Sequence, residues 1–347
     1  MQRKTIYFTA PKQIELREES LSALGADEVL VETICTAVSA GTEMLVYRGE
    51  FPKQIDAIDS ISSGIHYPTS YGYANVGRVK DVGKTVNREW KNKFVFSFQP
   101  HTSDFIIKTE SLIPIPDSLS PEAACFLPNM ETAVNLIQDA APILGERVLV
   151  LGQGIVGLLT TALLKEFPLE TLVTADHYPL RREASQSLGI AASLDPIADD
   201  FCEKALSHCL LIPHREITNL PQRGGFDLTF ELSGNPSALN DAIAVTAFSG
   251  RIVIGSWYGE KRAPIDLGSS FHRSRIKLIS SQVSTIAPEL SARWDIQRRF
   301  EVTWEALKRI QPQKWITHRY PINNAAQAYQ LLDAHPQETI QIIFNYA

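Results

Sequence analysis

The chain has 347 residues, of which 44% are hydrophobic and 21% charged, and 33 basic against 39 acidic side chains give a net charge of −6. That length is large for a single core and suits two domains, in the composition range of an ordinary globular protein. The charge gives no electrostatic reason to expect nucleic acid or an anionic membrane surface, and no apolar run approaches the ~20 residues of a membrane span.

From Met1 the sequence reads directly as a strand, without a signal-peptide core. Residues 1 to about 140 are β-rich. Ile6–Phe8, Ile14–Leu16, Val29–Thr33, Ala74–Val82 and Phe94–Phe98 are short alternating or apolar runs split by turn residues. Residues 52–70, rich in Ser, Ile and Pro, read as a long surface loop. A helical pattern from Pro121 to about Asp139 leads to Leu144-Gly145-Glu146-Arg147. The four cysteines, Cys35, Cys125, Cys202 and Cys209, suggest thiols in a reducing, cytoplasmic compartment rather than a disulfide framework.

The segment that follows carries the most information. Val148-Leu149-Val150-Leu151 runs straight into Gly152-Gln153-Gly154-Ile155-Val156-Gly157, and a helical pattern continues through Leu164. A buried strand, a tight turn and a helix start form the geometry that holds a dinucleotide pyrophosphate. The first Gly permits the turn, the second admits the phosphates, and the third lets helix and strand pack closely. The N–H groups of Ile155, Val156 and Gly157 then face the anion at the positive end of the helix. A second strand, Thr171–Ala175, closes on Asp176, about twenty residues beyond the glycines, where an acid reads the adenosine ribose. Asp176 favours NAD, since a carboxylate repels a 2′-phosphate. Arg181 and Arg182 leave NADP as the alternative.

Strands and helices alternate from 147 to about 283, the pattern of a doubly wound parallel sheet. Phe226–Leu232 ends at Ser233-Gly234, Arg251–Gly255 ends at Ser256-Trp257-Tyr258, and Ile276–Ser280 is the last strand. Ser233, Gly255 and Trp257, at the carboxyl edge, are expected beside the ribose and nicotinamide. The tail holds helices over Arg298–Arg309 and Ala325–Asp333 and a final strand, Thr339–Phe344. Cys202, His208, Cys209 and His214 lie close together but lack a metal-site spacing, and read as helix and buried thiols.

The order of a β-rich domain, a dinucleotide domain and a short returning tail resembles the medium-chain dehydrogenase/reductase superfamily. Ala40-Gly41-Thr42-Glu43-Met44-Leu45-Val46-Tyr47-Arg48-Gly49 is similar to the family segment Cys-Gly-Thr-Asp-x-His-x-x-x-Gly. Gly72-Tyr73-Ala74-Asn75-Val76-Gly77-Arg78-Val79 resembles Gly-His-Glu-x-x-Gly-x-Val, and Leu127–Ala133 resembles a helix ending in Thr-Ala or Thr-Gly. The resemblance implies a Rossmann domain over 141–289 and a β-rich, GroES-like catalytic domain over 1–140 and 290–347. It also implies a homodimer formed through Ile276–Ser280.

The departures from the family carry the chemistry. The zinc-ligand positions fall on Ala40, Tyr73 and Pro128, the relay His on Leu45, and residues 90–110 contain no Cys for a structural zinc lobe. The expectation is a zinc-free member that uses hydroxyl groups for acid–base work. Tyr73 leads, since it replaces a ligand, against the reading of a ring that fills vacated space. Thr42 is a substrate hydrogen-bonder or a turn cap, and Glu43 a support for the site or an ion-pair partner of Arg48. His101 is a proton carrier or an ordinary loop histidine. The function implied is hydride transfer to or from an alcohol or carbonyl. The alternatives are an enone or quinone reductase, a hydroxyethyl-tetrapyrrole dehydrogenase like the bacteriochlorophyllide branch, and a dinucleotide-binding protein without turnover.

Overall fold

The computed structural model describes residues 1–51, 65–209 and 224–346, and counts of elements are of those residues. The chain divides into two units, Met1–Pro128 with Leu307–Ala347, and Asn129–Ala306.

In the first unit β1 (Gln2–Ala10) buries Ile6 and Phe8 and pairs antiparallel with β2 (Gln13–Ser20). β3 (Glu28–Ala37) buries Val29, Val31, Thr33 and Cys35, the period-2 pattern of a strand with one face inward. The short helix α1 (Glu43–Arg48) stops at Gly49, whose φ of 75° supplies a left-handed C-cap. β4 (Thr69–Ser70) joins β1, and β5 (Asn75–Val82), β6 (Phe94–Ser97), β7 (Asp104–Lys108) and β8 (Ile113–Pro114) follow. Ser120, accepting from the Ala123 N–H at 3.2 Å, and Pro121 start α2 (Pro121–Ala124). The helical pattern read over 121–139 breaks at Cys125-Phe126 and resumes as α3 (Leu127–Ala140).

The second unit alternates β9 (Arg147–Leu151), α4 (Ile155–Leu164), β10 (Thr171–Ala175), α5 (Pro179–Gln186), β11 (Ala192–Leu194) and α6 (Phe201–Ser207). It continues with β12 (Phe226–Glu231), α7 (Ala238–Val245), β13 (Thr246–Ile254), β14 (Lys277–Ser280) and α8 (Ile296–Ile310), whose end runs into the first unit. All the strand pairs are parallel, in the order β11-β10-β9-β12-β13-β14. The order reverses between β9 and β12, the switch point where ligands lie beyond the carboxyl ends of strands. Leu194, Ala175, Leu151, Glu231, Ile254 and Ser280 form one row across the sheet, so the strands end together. Val148, Leu149, Val150, Leu228 and Phe230 are fully buried, as expected of strands covered on both faces.

The returning tail adds β15 (Ile316–Pro321), α9 (Ala325–Ala334) and β16 (Gln341–Asn345) to the first unit. Its larger sheet runs β15-β16-β3-β5-β6-β8, with β7 also on β3. Strands β7, β11 and β15 were not legible from alternation, and β13 starts five residues before the predicted run. The loop read over 52–70 lies largely outside the described residues, and its end supplies β4. No helix among the described residues is long and apolar enough to cross a membrane.

The glycines of the turn make separable claims. A Cβ at residue 157 would stand 2.0 Å from the Gly152 carbonyl oxygen, whereas one at residue 154 would meet nothing nearer than Arg181 Nη1 at 3.8 Å. Gly157→Ala is expected to cost about 3 kcal/mol or more in urea unfolding, and Gly154→Ala about 1 kcal/mol or less. Equal effects would contradict the close approach.

Candidate functional site

The nucleotide end of the second unit is built on Gly152, whose φ of 92° and contacts (a Cβ would lie 2.5 Å from the Leu232 carbonyl) exclude any other residue. Gly154 is the N-cap of α4, so the first N–H groups of the helix open onto the turn. Gln153 is buried beneath it. Its amide donates to the Gly152 carbonyl (3.0 Å) and its oxygen accepts from Thr161 (3.1 Å).

Asp176 lies at the end of β10, 6% exposed. Its oxygens accept the backbone N–H groups of Gln153 (2.7 Å) and Tyr178 (2.8 Å), so it ties the turn to the next strand. A carboxylate has about four acceptor positions, which leaves capacity for ribose hydroxyls. Arg181 sits 4.0 Å from Asp176, over the Tyr178 ring and beside Gly154. Arg182 instead donates to the Asp176 and His177 carbonyls (2.8 and 2.7 Å) and pairs with Asp195.

At the end of β12, Glu231 is fully buried and accepts from the Ser233 N–H (2.8 Å), the Ser233 hydroxyl and the Tyr258 phenol. Burial, reinforced by Glu231, pushes the Tyr258 pKa well up. Gly234 donates to Ser256 (2.9 Å), and Trp257 is half-buried in the same loop. Gly255 is needed for packing, since a Cβ there would lie 2.7 Å from both Leu136 and Leu232 side chains.

In the first unit, Tyr73 donates to the hydroxyls of Ser39 and Thr42, the latter at 3.3 Å. Thr42 occupies the N-cap position of α1 without a side-chain capping bond, so its hydroxyl serves this cluster. Burial raises the Tyr73 pKa, and the bonds to Ser39 and Thr42 only partly oppose it. Behind the cluster, fully buried Glu43 accepts the Ser39 N–H (2.8 Å), the His101 Nε2 contact (3.0 Å) and the Tyr329 phenol. His101 Nδ1 bonds Thr36 (2.6 Å), and Thr36 bonds Tyr346 (3.0 Å). The His101 ring lies against Gly72, where a Cβ would be 2.7 Å away.

One expectation is corrected by these contacts. Glu43 does not pair with Arg48, which bonds Asp333 at 2.7 Å. The helix turns Glu43 inward and Arg48 toward α9. His101, read as a proton carrier or an ordinary loop histidine, is buried, 1% exposed. Tyr47 stacks on Tyr329 in the core. Sequence reasoning missed Ser39, Gln153, Glu231 and Tyr329. Glu231 carried a signal, an acid at the carboxyl end of a strand in a parallel sheet, where burial demands partners.

The residues at the family's zinc positions do not fit the metal. Ala40 and Pro128 have no side-chain donor, and Tyr73 is a protonated phenol bonded to hydroxyls. Among the described residues no group of three or more His, Cys, Asp or Glu could hold a metal ion. Cys209 is buried, with its thiol pushed up to about 11 by burial, and His214 lies outside the described residues.

The architecture is that of a Rossmann domain with a GroES-like domain. Residues 156–296 match the family described as zinc-binding dehydrogenase. Over 361 residues the chain is 25% identical to the D-guloside 3-dehydrogenase of Escherichia coli K12, covering 98% of this chain and 99% of that one. The solved structure of a short chain alcohol dehydrogenase from E. coli CFT073, complexed with NADH, superimposes with a TM-score of 0.77 at 17% identity, covering 99% of each chain. The 2R,3R-butanediol dehydrogenase of Bacillus subtilis gives 0.77 at 18% identity, again over 99% of each. Residues 156–296 thus carry the zinc-binding dehydrogenase match, and over its whole length the chain is similar to medium-chain dehydrogenases.

The corrected ion pairing is measurable. Glu43→Leu leaves the Ser39 N–H and His101 without their buried acceptor and is expected to lower unfolding free energy by about 2–5 kcal/mol. Arg48→Ala, which breaks a partly exposed pair, should cost about 1 kcal/mol or less. Chemical denaturation of both variants checks this.

Proposed function

We propose that this chain is a zinc-independent, NAD(P)-dependent oxidoreductase that transfers hydride to or from the carbon of an alcohol or carbonyl. The observation that carries the reading is the Tyr73–Ser39–Thr42 hydroxyl cluster, at the positions where the family resemblance would put metal chemistry. The relatives' names support the substrate class, since a guloside and a butanediol are both alcohols.

The glycine turn and the N-terminus of α4 fit a pyrophosphate, and Asp176 fits the adenosine ribose, which makes NAD the first choice. Arg181 is the residue that would hold a 2′-phosphate. Ser233, Gly255 and Trp257 belong to the strand-end loops assigned to the other half of the cofactor. When bound, the nicotinamide supplies or accepts the hydride. Tyr73 hydrogen-bonds the substrate oxygen, and in reduction its phenol gives a proton to the oxygen as the carbon gains hydride. The Ser39 and Thr42 hydroxyls then hydrogen-bond the phenolate. Burial keeps the phenol protonated at neutral pH, so it meets the substrate oxygen as a hydrogen-bond donor. Glu43 and His101 hold the segments that carry these hydroxyls. The family resemblance further supports a homodimer through β14, which lies at the sheet edge.

The test is turnover by the metal-stripped protein against polyols, their ketones, enones, quinones and a hydroxyethyl tetrapyrrole, with each cofactor. Reduction of a simple ketone that persists after chelation, with kcat about 10²–10⁴-fold lower in Tyr73→Phe and unchanged NADH affinity, is expected. The rate should stay level through neutral pH and fall only above the range where an ordinary phenol ionises, because burial keeps the Tyr73 phenol protonated. Full activity in Tyr73→Phe, or activity restored only by zinc, would sink the assignment. Turnover confined to enones or quinones would replace it with the reductase reading, and nucleotide binding without turnover with the non-catalytic one.

A further inference from the structure

Arg299 heads the fully buried side chains of the described residues by size, and the proposed chemistry does not use it. It projects from α8 and spends its guanidinium on one cluster. Nε and Nη2 donate to Glu131 Oε1 (3.0 and 2.7 Å), and Nη1 donates to Asn135 Oδ1 (2.9 Å). Nη1 also reaches the Thr285 carbonyl (3.2 Å), and Nη2 the Val283 carbonyl (2.5 Å). Asn135 in turn donates to Asp139 (2.9 Å) and Ser281 (3.0 Å), and Ser281 donates to Asp139 (2.6 Å). Glu131, Asn135 and Asp139 are four residues apart and share one face of α3.

What the cluster holds is the segment 281–285, which leaves the sheet at the end of β14. Ser281 donates to the Ile254 carbonyl (2.9 Å), one step beyond the row in which the strands end. A buried ion pair is a poor source of net stability compared with apolar packing, but it fixes geometry. The sheet order says which geometry matters. The pyrophosphate turn follows β9, and Asp176, the adenosine-side acid, follows β10 on one side of the switch point. The other half of an extended dinucleotide therefore lies over the ends of β12, β13 and β14.

We infer that Arg299 is a positioning residue for the nicotinamide half of the cofactor, acting through the 281–285 segment. This rests on the dinucleotide-binding reading above. The experiment compares NADH with ADP-ribose, which lacks the nicotinamide, by titration of the full chain. Arg299→Met should weaken NADH at least tenfold and leave ADP-ribose within twofold. Arg299→Lys, which keeps the charge but not the planar fork, should recover only part of the loss. Because Arg299→Met strands Glu131, Ser281→Ala serves as the milder variant, and a threefold or greater loss confined to NADH is expected. Equal weakening of both ligands in both variants would reduce Arg299 to a structural role, and no change in either would overturn the inference outright. If the unaltered chain bound neither ligand, the dinucleotide reading itself would fail, and this assignment with it.

Discussion

The approach of α4 to the end of β9 sets the second unit. The Gly152 carbonyl oxygen stands 2.0 Å from where any Cβ of residue 157 would be, and this closeness is possible only because both positions are glycine. It brings the N-terminus of a largely buried helix over the switch point, with its unpaired N–H groups concentrated where the strands end. Gln153, turned inward, fills the space beneath, and Asp176 holds the Gln153 backbone from the neighbouring strand. The six strands then end in one row, so each loop at that edge begins at the same level as the turn.

The first unit solves a different problem. Its polar residues sit inside a β-rich core that includes Phe8, Tyr47, Tyr329 and Phe344, where an unpaired group would be costly. Glu43 is satisfied by contacts from three separate segments, and its partner His101 is satisfied in turn by Thr36. Beside that network stand the hydroxyls of Tyr73, Ser39 and Thr42. A hydroxyl trio cannot polarise an oxygen as a divalent cation does, but it can donate hydrogen bonds, and burial of Tyr73 keeps its phenol protonated for that role. The chemistry proposed for the chain follows from that substitution of donors.

The parts legible in the sequence were those whose cause is local. A run of apolar residues into three glycines states its own turn, and an acid at the end of the next strand states its place beside it. Partners remote in sequence were not legible. Glu43 and Arg48 are near neighbours on one short helix, yet Glu43 bonds His101 and Tyr329 while Arg48 bonds Asp333. Arg298 and Arg299 are adjacent and identical in the sequence, but Arg298 lies over the Trp294 ring in solvent and Arg299 is buried. Strand β15 hid for another reason. Its sequence, Ile316-Thr317-His318-Arg319-Tyr320-Pro321, is polar and half-exposed, as befits a sheet edge, and so lacks the alternation of a core strand.

One device recurs in both units. Asp176 accepts the N–H of Gln153, Glu231 that of Ser233, and Glu43 that of Ser39. Each carboxylate is buried, and each holds the backbone of a segment that leaves a strand and so has lost its ladder partners. A charge-assisted bond from a carboxylate is about twice as strong as a neutral one, and it fixes the segment at the residue where regular structure ends. Burying these acids costs desolvation energy that apolar side chains would avoid. Their common placement is therefore better explained by the need to hold loops still than by stability alone. Gln153 belongs to the pyrophosphate turn, Ser233 to a loop assigned to the cofactor, and Ser39 to the hydroxyl cluster. The proposed hydride transfer, aligned by hydrogen bonds, would depend on such backbone anchoring for its geometry.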